Sequence, residues 1–317
     1  MQQINEDACV RGCHEIRDVQ EERDQGSSFH VEFKDSSDPR SALTEADSRA
    51  QKAIVAALKQ DWGPELRIIG EEDPKDGFLS VATNKTALRI NLCSSIFKED
   101  CDMQTLSDII VFVDPLDGTR EFVEGRLQNC QVLIGISVGG IASAGAIGIP
   151  FPTGNLDESP TVVYGKVGLG HGIIGSPLPN AHGRIPLSQP LLATGDTILP
   201  IMAEARRIVQ EHFGGINCLY GGAGNKILAA ALGLVDCTIQ HKFGGPWDTC
   251  APAAVLKSMG GEITDLLGED LSVYQEGEQE QSTRRGFVAT GRNSLIPHKV
   301  LVAALQESKR ITTYING

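Results

Sequence analysis

The chain has 317 residues, 41% hydrophobic and 22% charged, a balance suited to a globular protein and long enough for two packed units. Its formal net charge of −13 speaks against DNA or RNA as a partner, because polyanion binding rests on Lys and Arg displacing counterions from the phosphate backbone. An acidic protein that handles a small phosphate compound must borrow positive charge, and bound cations are the direct source.

The N-terminal residues 5–24 are polar with sparse apolar positions and predict a solvent-exposed helix, on which Cys9 and Cys13 face the same way. Residues 25–40, rich in Gly, Ser, Asp and Pro, predict a loop. From Thr44, a suitable N-cap, Ala46, Ala50, Ala53, Ile54, Ala57 and Leu58 recur at helical spacing as far as Gln60 and put Asp47 in the first turn. Leu66 to Ile69 reads as a short strand ending at Gly70, and Asp108 to Val113 as a longer one ending at Asp114. Residues 74–105, between them, have no clear period and stay unassigned.

Segments 131–138, 141–149 and 161–175 alternate or run apolar with glycine punctuation and read as antiparallel strands. Prolines at 177, 179, 186 and 190 mark a connection, placing a boundary at 187. The first unit, 1–187, is expected to be an α+β domain with an antiparallel sheet; the second, 188–317, an α/β domain. Helices at 199–212, 226–233, 250–259 and 297–309, with strands at 235–240 and 287–290, fill the second half.

Gly170-His171-Gly172-Ile173-Ile174-Gly175 spells a dinucleotide fingerprint, but Pro177 follows at once and no helix opens there to receive a pyrophosphate. The seven histidines lack zinc-hydrolase spacing. Eight cysteines without a Cys-x-x-Cys pair, and the absence of a secretory signal, predict reduced thiols and a cytoplasmic location. No apolar run approaches the roughly 18 residues of a membrane span, so no membrane partner is expected.

Three acidic segments carry the chemistry. In Val113-Asp114-Pro115-Leu116-Asp117-Gly118-Thr119 a buried strand delivers Asp114, Pro115 fixes the turn, and Gly118 permits an unusual dihedral or close approach. Asp114 and Asp117 then converge while the Leu116 carbonyl offers a third oxygen, an environment that suits a hard dication such as Mg²⁺. Thr119 opens the following helix. Taken singly, Asp-Pro-x-Asp-Gly is an ordinary turn, Gly70-Glu71-Glu72-Asp73 a solvated acidic loop and Asp248 an N-cap. One shared metal site explains all three together.

Taken in order, Thr44-Glu45-Ala46-Asp47, Gly70-Glu71-Glu72-Asp73, Asp114 to Thr119 and Trp247-Asp248-Thr249-Cys250-Ala251-Pro252 resemble the signatures of the lithium-sensitive, magnesium-dependent phosphatases of the inositol-monophosphatase-like superfamily. Gly221 to Lys226 and the Trp-Asp-Thr-Cys-Ala-Pro run are most similar to its 3'(2'),5'-bisphosphate nucleotidase branch. The resemblance implies a layered αβαβα sandwich, two or three Mg²⁺ ions, inhibition by Li⁺, and a monomer that converts 3'-phosphoadenosine 5'-phosphate to AMP and phosphate. It assigns the metals to Glu71, Asp114, Leu116, Asp117 and Asp248, and the alignment and deprotonation of a metal-held water to Asp47 and Thr119 with Glu71. Substrate contacts fall at Gly118, Thr119, Gly222, Asn225, Lys226, Asp196 and Thr197.

Ala193 to Ile198 lacks the histidine-containing stretch of the nucleotidases. Gly245-Pro246 stand where that branch often has basic residues, with Lys242 further back. These departures favour, as the alternative, an inositol polyphosphate 1-phosphatase acting on inositol 1,4-bisphosphate. A metabolite-binding regulator without turnover is the non-enzyme alternative, though it has no need of the Asp47 and Thr119 pair.

Overall fold

A computed structural model describes residues 2–28, 30–33, 42–72, 108–178, 188–242, 244–271, 274–275 and 285–316. The unassigned stretch at 74–105 and the expected boundary at 187 lie outside them. Helices α1 (Gln2–Asp24) and α2 (Glu45–Trp62) pack together, joined through a short antiparallel pair, β1 (Val31–Phe33) and β2 (Ala42–Thr44). The expectation that α1 is solvent-exposed is corrected: Ala8, Cys9, Cys13, Ile16 and Val19 are buried. These few apolar residues share one face, and Gly12 lets α2 approach so closely that an added Cβ would lie 2.7 Å from Ile54 Cδ1.

The first sheet runs β3 (Ile68–Gly70), β4 (Ile109–Asp117), β5 (Gln131–Val138), β6 (Ile141–Ile149), β7 (Thr161–Lys166) and β8 (Gly170–Gly175). It is antiparallel except for β3, which lies parallel to β4. The fingerprint-like glycines form the edge strand β8, so that segment opens no helix.

The second sheet has the order β10 (Ile216–Leu219), β9 (Leu191–Thr194), β11 (Cys237–Gln240), β13 (Phe287–Thr290) and β12 (Glu262–Thr264). Of these, β9, β10 and β12 had no counterpart in the sequence reading; each is only three or four residues long.

Alternation of side chains assembles the layers. On β4, Ile109, Val111 and Val113 join the core beneath α1 and α2, while Ile110 and Phe112 join the core shared with α5 (Ala223–Ala231) and α6 (Pro246–Ser258). On β13, Phe287 and Ala289 face that same middle core. Val288 faces outward, toward α4 (Pro200–Phe213) and the C-terminal α7 (His298–Glu307) and α8 (Lys309–Asn316). The sequence of layers is helix, sheet, helix, sheet, helix.

The middle helix α6 lies in a furrow. Gly135, Gly145 and Gly165 are register partners across β5, β6 and β7. A Cβ on Gly135 would sit 2.5 Å from the Ala251 backbone nitrogen, and one on Gly145 2.5 Å from the Ala251 carbonyl oxygen. Glycine here sets how deep α6 sinks, and α6 carries Asp248 in its first turn.

Candidate active site

On a regular strand, residues three apart face opposite sides of the sheet. Strand β4 escapes that rule. Its register with β5 is even up to Asp114↔Leu133 and resumes at Asp117↔Gln131, so Pro115 and Leu116 form a β-bulge. After the bulge Leu116 points into the same core as Val113, and Asp117 returns to the side of Asp114. The strand therefore does not end at Asp114 as predicted; it continues through Pro115, whose missing N–H suits a break in the ladder. The bulge also frees the Leu116 peptide: its N–H donates to Asp114 Oδ1 at 3.0 Å.

Asp248 comes from the opposite wall. The helix predicted from Cys250 begins at Pro246, which puts Asp248 inside its first turn, where Asp248 Oδ2 accepts the Gly245 N–H at 2.6 Å. Asp114, Asp117 and Asp248 each present a carboxylate oxygen within 4.8 Å of the others, and all three are buried. Burial first, then the negative charges of Glu71, Asp117 and Asp248, holds the Asp114 carboxyl well above the usual carboxylate range. Asp248 is raised in the same way, by burial and then by Glu71 and Asp117. Asp117 is pushed up to about 6 by burial, opposed by Lys226 and by the amides of Ala223 and Asn225. Those amides, at the start of α5, donate to Asp117 Oδ1 at 2.9 Å and Oδ2 at 3.2 Å.

Glu71 follows β3, and its N–H donates to the Val113 carbonyl at 3.0 Å, which seats it beside the end of β4. It lines the same cleft as the three aspartates. Asp73 lies outside the described residues.

Above the bulge stands a second pair. Asp47 occupies the first turn of α2, and its Oδ2 accepts the Thr44 N–H at 2.8 Å and the Thr44 hydroxyl at 2.6 Å. Its Oδ1 lies 2.8 Å from Thr119 Oγ1, which is also 3.0 Å from the Leu116 carbonyl. With one proton, the Thr119 hydroxyl serves one acceptor at a time. Burial raises the Asp47 carboxyl to about 7, against the pull of its hydrogen bonds to Thr44 and Thr119.

These groups border a cleft of about 510 Å³. Of the predicted substrate contacts, Gly118, Thr119, Gly222, Lys226, Asp196 and Thr197 line it. Gly222 has φ +72°, and a Cβ there would lie 2.7 Å from Asp117 Oδ2, so only glycine fits. Lys226 is buried, and its ammonium donates to the Gly222 carbonyl at 2.5 Å. Burial lowers its pKa while Asp117 supports the charge.

Asn225 is not on the cleft wall. Its amide nitrogen donates to Asn129 Oδ1 at 3.2 Å and to the Gly221 carbonyl at 3.1 Å, which ties its side chain into the loop. Asp196 accepts from Arg120 at 2.8 Å, an ion pair that joins α3 (Thr119–Val123) to the loop after β9. Arg120, Tyr220, His241 and Lys242 also line the cleft without having been singled out as site residues. The only sequence signal among them was a lysine six positions ahead of Asp248.

The donor set fits a metal. Buried carboxylates that repel one another, with a backbone carbonyl alongside and no sulfur or imidazole in the cluster, match hard dications such as Mg²⁺.

Comparison with known proteins agrees in fold and in family. Residues 4–310 match the family described as the inositol monophosphatase family. The 3'(2'),5'-bisphosphate nucleotidase 1 of Homo sapiens is 33% identical over 79% of this chain and 79% of its own length. The protein of the same name from Dictyostelium discoideum is 29% identical over 90% of this chain and 92% of its own. Among solved structures, the extragenic suppressor protein suhB of Bartonella henselae superimposes with a TM-score of 0.65 at 21% identity, covering 95% of this chain and 96% of that one. At that identity the likeness is one of fold.

Proposed function

The chain belongs to the inositol monophosphatase family, and from that premise we propose that it is a magnesium-dependent phosphomonoesterase that hydrolyses 3'-phosphoadenosine 5'-phosphate to AMP and phosphate. The observation that carries this reading is the convergence of three buried carboxylates from two elements beside the Asp47 and Thr119 pair. The similarity to the human and Dictyostelium nucleotidases supports the choice of substrate.

Glu71, Asp114, Asp117, Asp248 and the Leu116 carbonyl would hold the dications, which when bound would supply positive charge to the transferring phosphoryl group and the leaving oxygen. The chain's own residues do the rest. Thr119 orients the attacking water, whose oxygen bonds to phosphorus as the ester P–O bond breaks; the water's proton passes through the Thr119 hydroxyl to Asp47, and the departing ribose oxygen takes a proton from solvent. Lys226 and the Gly222 backbone steady the phosphoryl oxygens from the α5 side. No covalent phosphoenzyme is required.

Li⁺ is the expected inhibitor. No helix of the described residues is long and apolar enough to cross a membrane. A cytoplasmic site of action is consistent with six free cysteines among those residues.

The test compares phosphate release from 3'-phosphoadenosine 5'-phosphate, inositol 1,4-bisphosphate and inositol monophosphate at fixed Mg²⁺. Highest kcat/KM on the adenosine compound supports the proposal. Preference for inositol 1,4-bisphosphate, the reading that the uncharged Gly245 and Pro246 favour, replaces the substrate, and silence on all three removes the enzyme.

A further inference from the structure

We propose that Lys242 anchors the second, non-reacting phosphate of the substrate and so sets the preference for bisphosphates over monophosphates; this rests on the phosphatase reading above. A bisphosphate brings two groups of about −1.5 to −2 charge each near neutral pH. Dications at the carboxylate cluster balance the reacting one. The other must find its cation elsewhere on a wall that also carries Glu71 and Asp196.

Among the described residues, three cationic side chains line the cleft: Arg120, Lys226 and Lys242. Two are already engaged. Arg120 donates to Glu124 and to Asp196, each at 2.8 Å, and Lys226, buried beside the Gly222 carbonyl and Asp117, belongs to the reacting phosphoryl group. Lys242 is exposed at the cleft rim, with no carboxylate partner among the described residues.

Its backbone is unusual as well. With φ +65° it is the one non-glycine residue with positive φ among those described. An L-residue avoids this region, because its Cβ crowds the backbone, and such departures cluster where a loop must aim a side chain. The two residues that precede Lys242 hold this turn. Gln240 Nε2 donates to the Lys242 carbonyl at 3.2 Å, and the buried His241 ring meets the Tyr314 ring of α8 edge-on, with centroids 5.1 Å apart.

The same short connection leads from β11 into α6, so Lys242 lies on the loop that opens directly into the helix bearing Asp248. Residues 243–247, Phe-Gly-Gly-Pro-Trp, contain no charge. A lysine ammonium is a compact point charge on a flexible stem and accepts phosphate at a range of angles. That is the property needed to hold a phosphate whose position is fixed by the rest of the substrate.

The test is Lys242→Gln, with Lys242→Arg as rescue, assayed at saturating Mg²⁺ on 3'-phosphoadenosine 5'-phosphate and on adenosine 3'-monophosphate. Loss of one charge-assisted contact should lower the ratio of the two kcat/KM values about ten- to hundredfold, through KM of the bisphosphate, and Arg should restore most of it. An unchanged ratio, including one produced by equal losses on both substrates, overturns the proposal. Equilibrium binding of AMP, which keeps only the non-reacting phosphate, gives a readout without turnover: Lys242→Gln should weaken it by a similar factor, and equal binding by both proteins refutes the assignment. Absence of turnover in the unaltered protein would instead remove the phosphatase reading, with AMP binding still deciding Lys242.

Discussion

Asp47 Oδ1 and Thr119 Oγ1 lie 2.8 Å apart although 72 positions separate them in the chain. One belongs to the helix that covers the first sheet and the other opens α3 just beyond the bulge, so packing of α2 sets the distance between this carboxylate and the hydroxyl. Asp47→Asn and Thr119→Val should each lower kcat by about 10²- to 10⁴-fold, the range for a positioned proton acceptor, with little change in KM. Steady-state phosphate release measures this, and either variant retaining half of the kcat would eliminate the relay.

Asp47 also predicts a pH dependence. Burial raises its carboxyl to about 7, and only the ionised form accepts a proton, so activity should fall as pH drops. Dications nearby favour the ionised form, so the acidic limb of kcat/KM should lie at or below about 7 and move upward as Mg²⁺ is reduced. Stability of the metal-free protein runs the other way. The unfolded carboxyl releases its proton near ~4 and the folded one near 7; between them the folded chain binds more protons. Unfolding free energy therefore declines as pH rises through that window, and Asp47→Asn should flatten the slope in denaturant titrations.

Replacing Asp114 separates the metal's contribution from the fold's. Asp114→Asn keeps the oxygen that accepts the Leu116 N–H and deletes a buried charge repelled by Glu71, Asp117 and Asp248. The metal-free variant should melt no lower than the unaltered protein and should lose most of the Mg²⁺-dependent rise in Tm, along with nearly all turnover. Calorimetry with and without Mg²⁺ reads both, and a full Mg²⁺ response in the variant would contradict the ligand role.

Much of this site could be read from the sequence because each acidic segment sits at the end of a recognisable element. The apolar run from Ile109 to Val113 announced its strand, and Thr44 announced the helix that bears Asp47. What stayed hidden depends on partners distant in the chain. The bulge at Pro115 and Leu116 exists only against β5, and a turn and a bulge use the same residue types there. The buried face of α1 consists of a few small or apolar residues in a polar helix, too narrow a stripe to outweigh its composition. His241 and Lys242 reach the cleft because β11 pairs between β9 and β13, a register that local patterning does not specify.

The glycine furrow makes a prediction of its own. In Gly145→Ala the new Cβ meets backbone of Ala251 at 2.5 Å, not a side chain that can swing aside. Either the sheet or α6 must move. Overpacking of this kind costs about 1–3 kcal/mol, measurable as a lower urea midpoint. The Asp248 carboxylate should shift with the helix, so Mg²⁺ should bind more weakly as well. Undiminished Mg²⁺ affinity in a destabilised Gly145→Ala protein would show that α6 stays put.

Most interior positions can vary in both directions, a smaller residue here compensated by a larger one nearby. Gly135, Gly145 and Gly165 have no smaller neighbour in the genetic code, so every missense change at them adds bulk beneath the same helix. With Asp248 as a metal ligand, inherited variation along this track would weaken the capture of cations from positions that lie on the sheet and outside the carboxylate cluster.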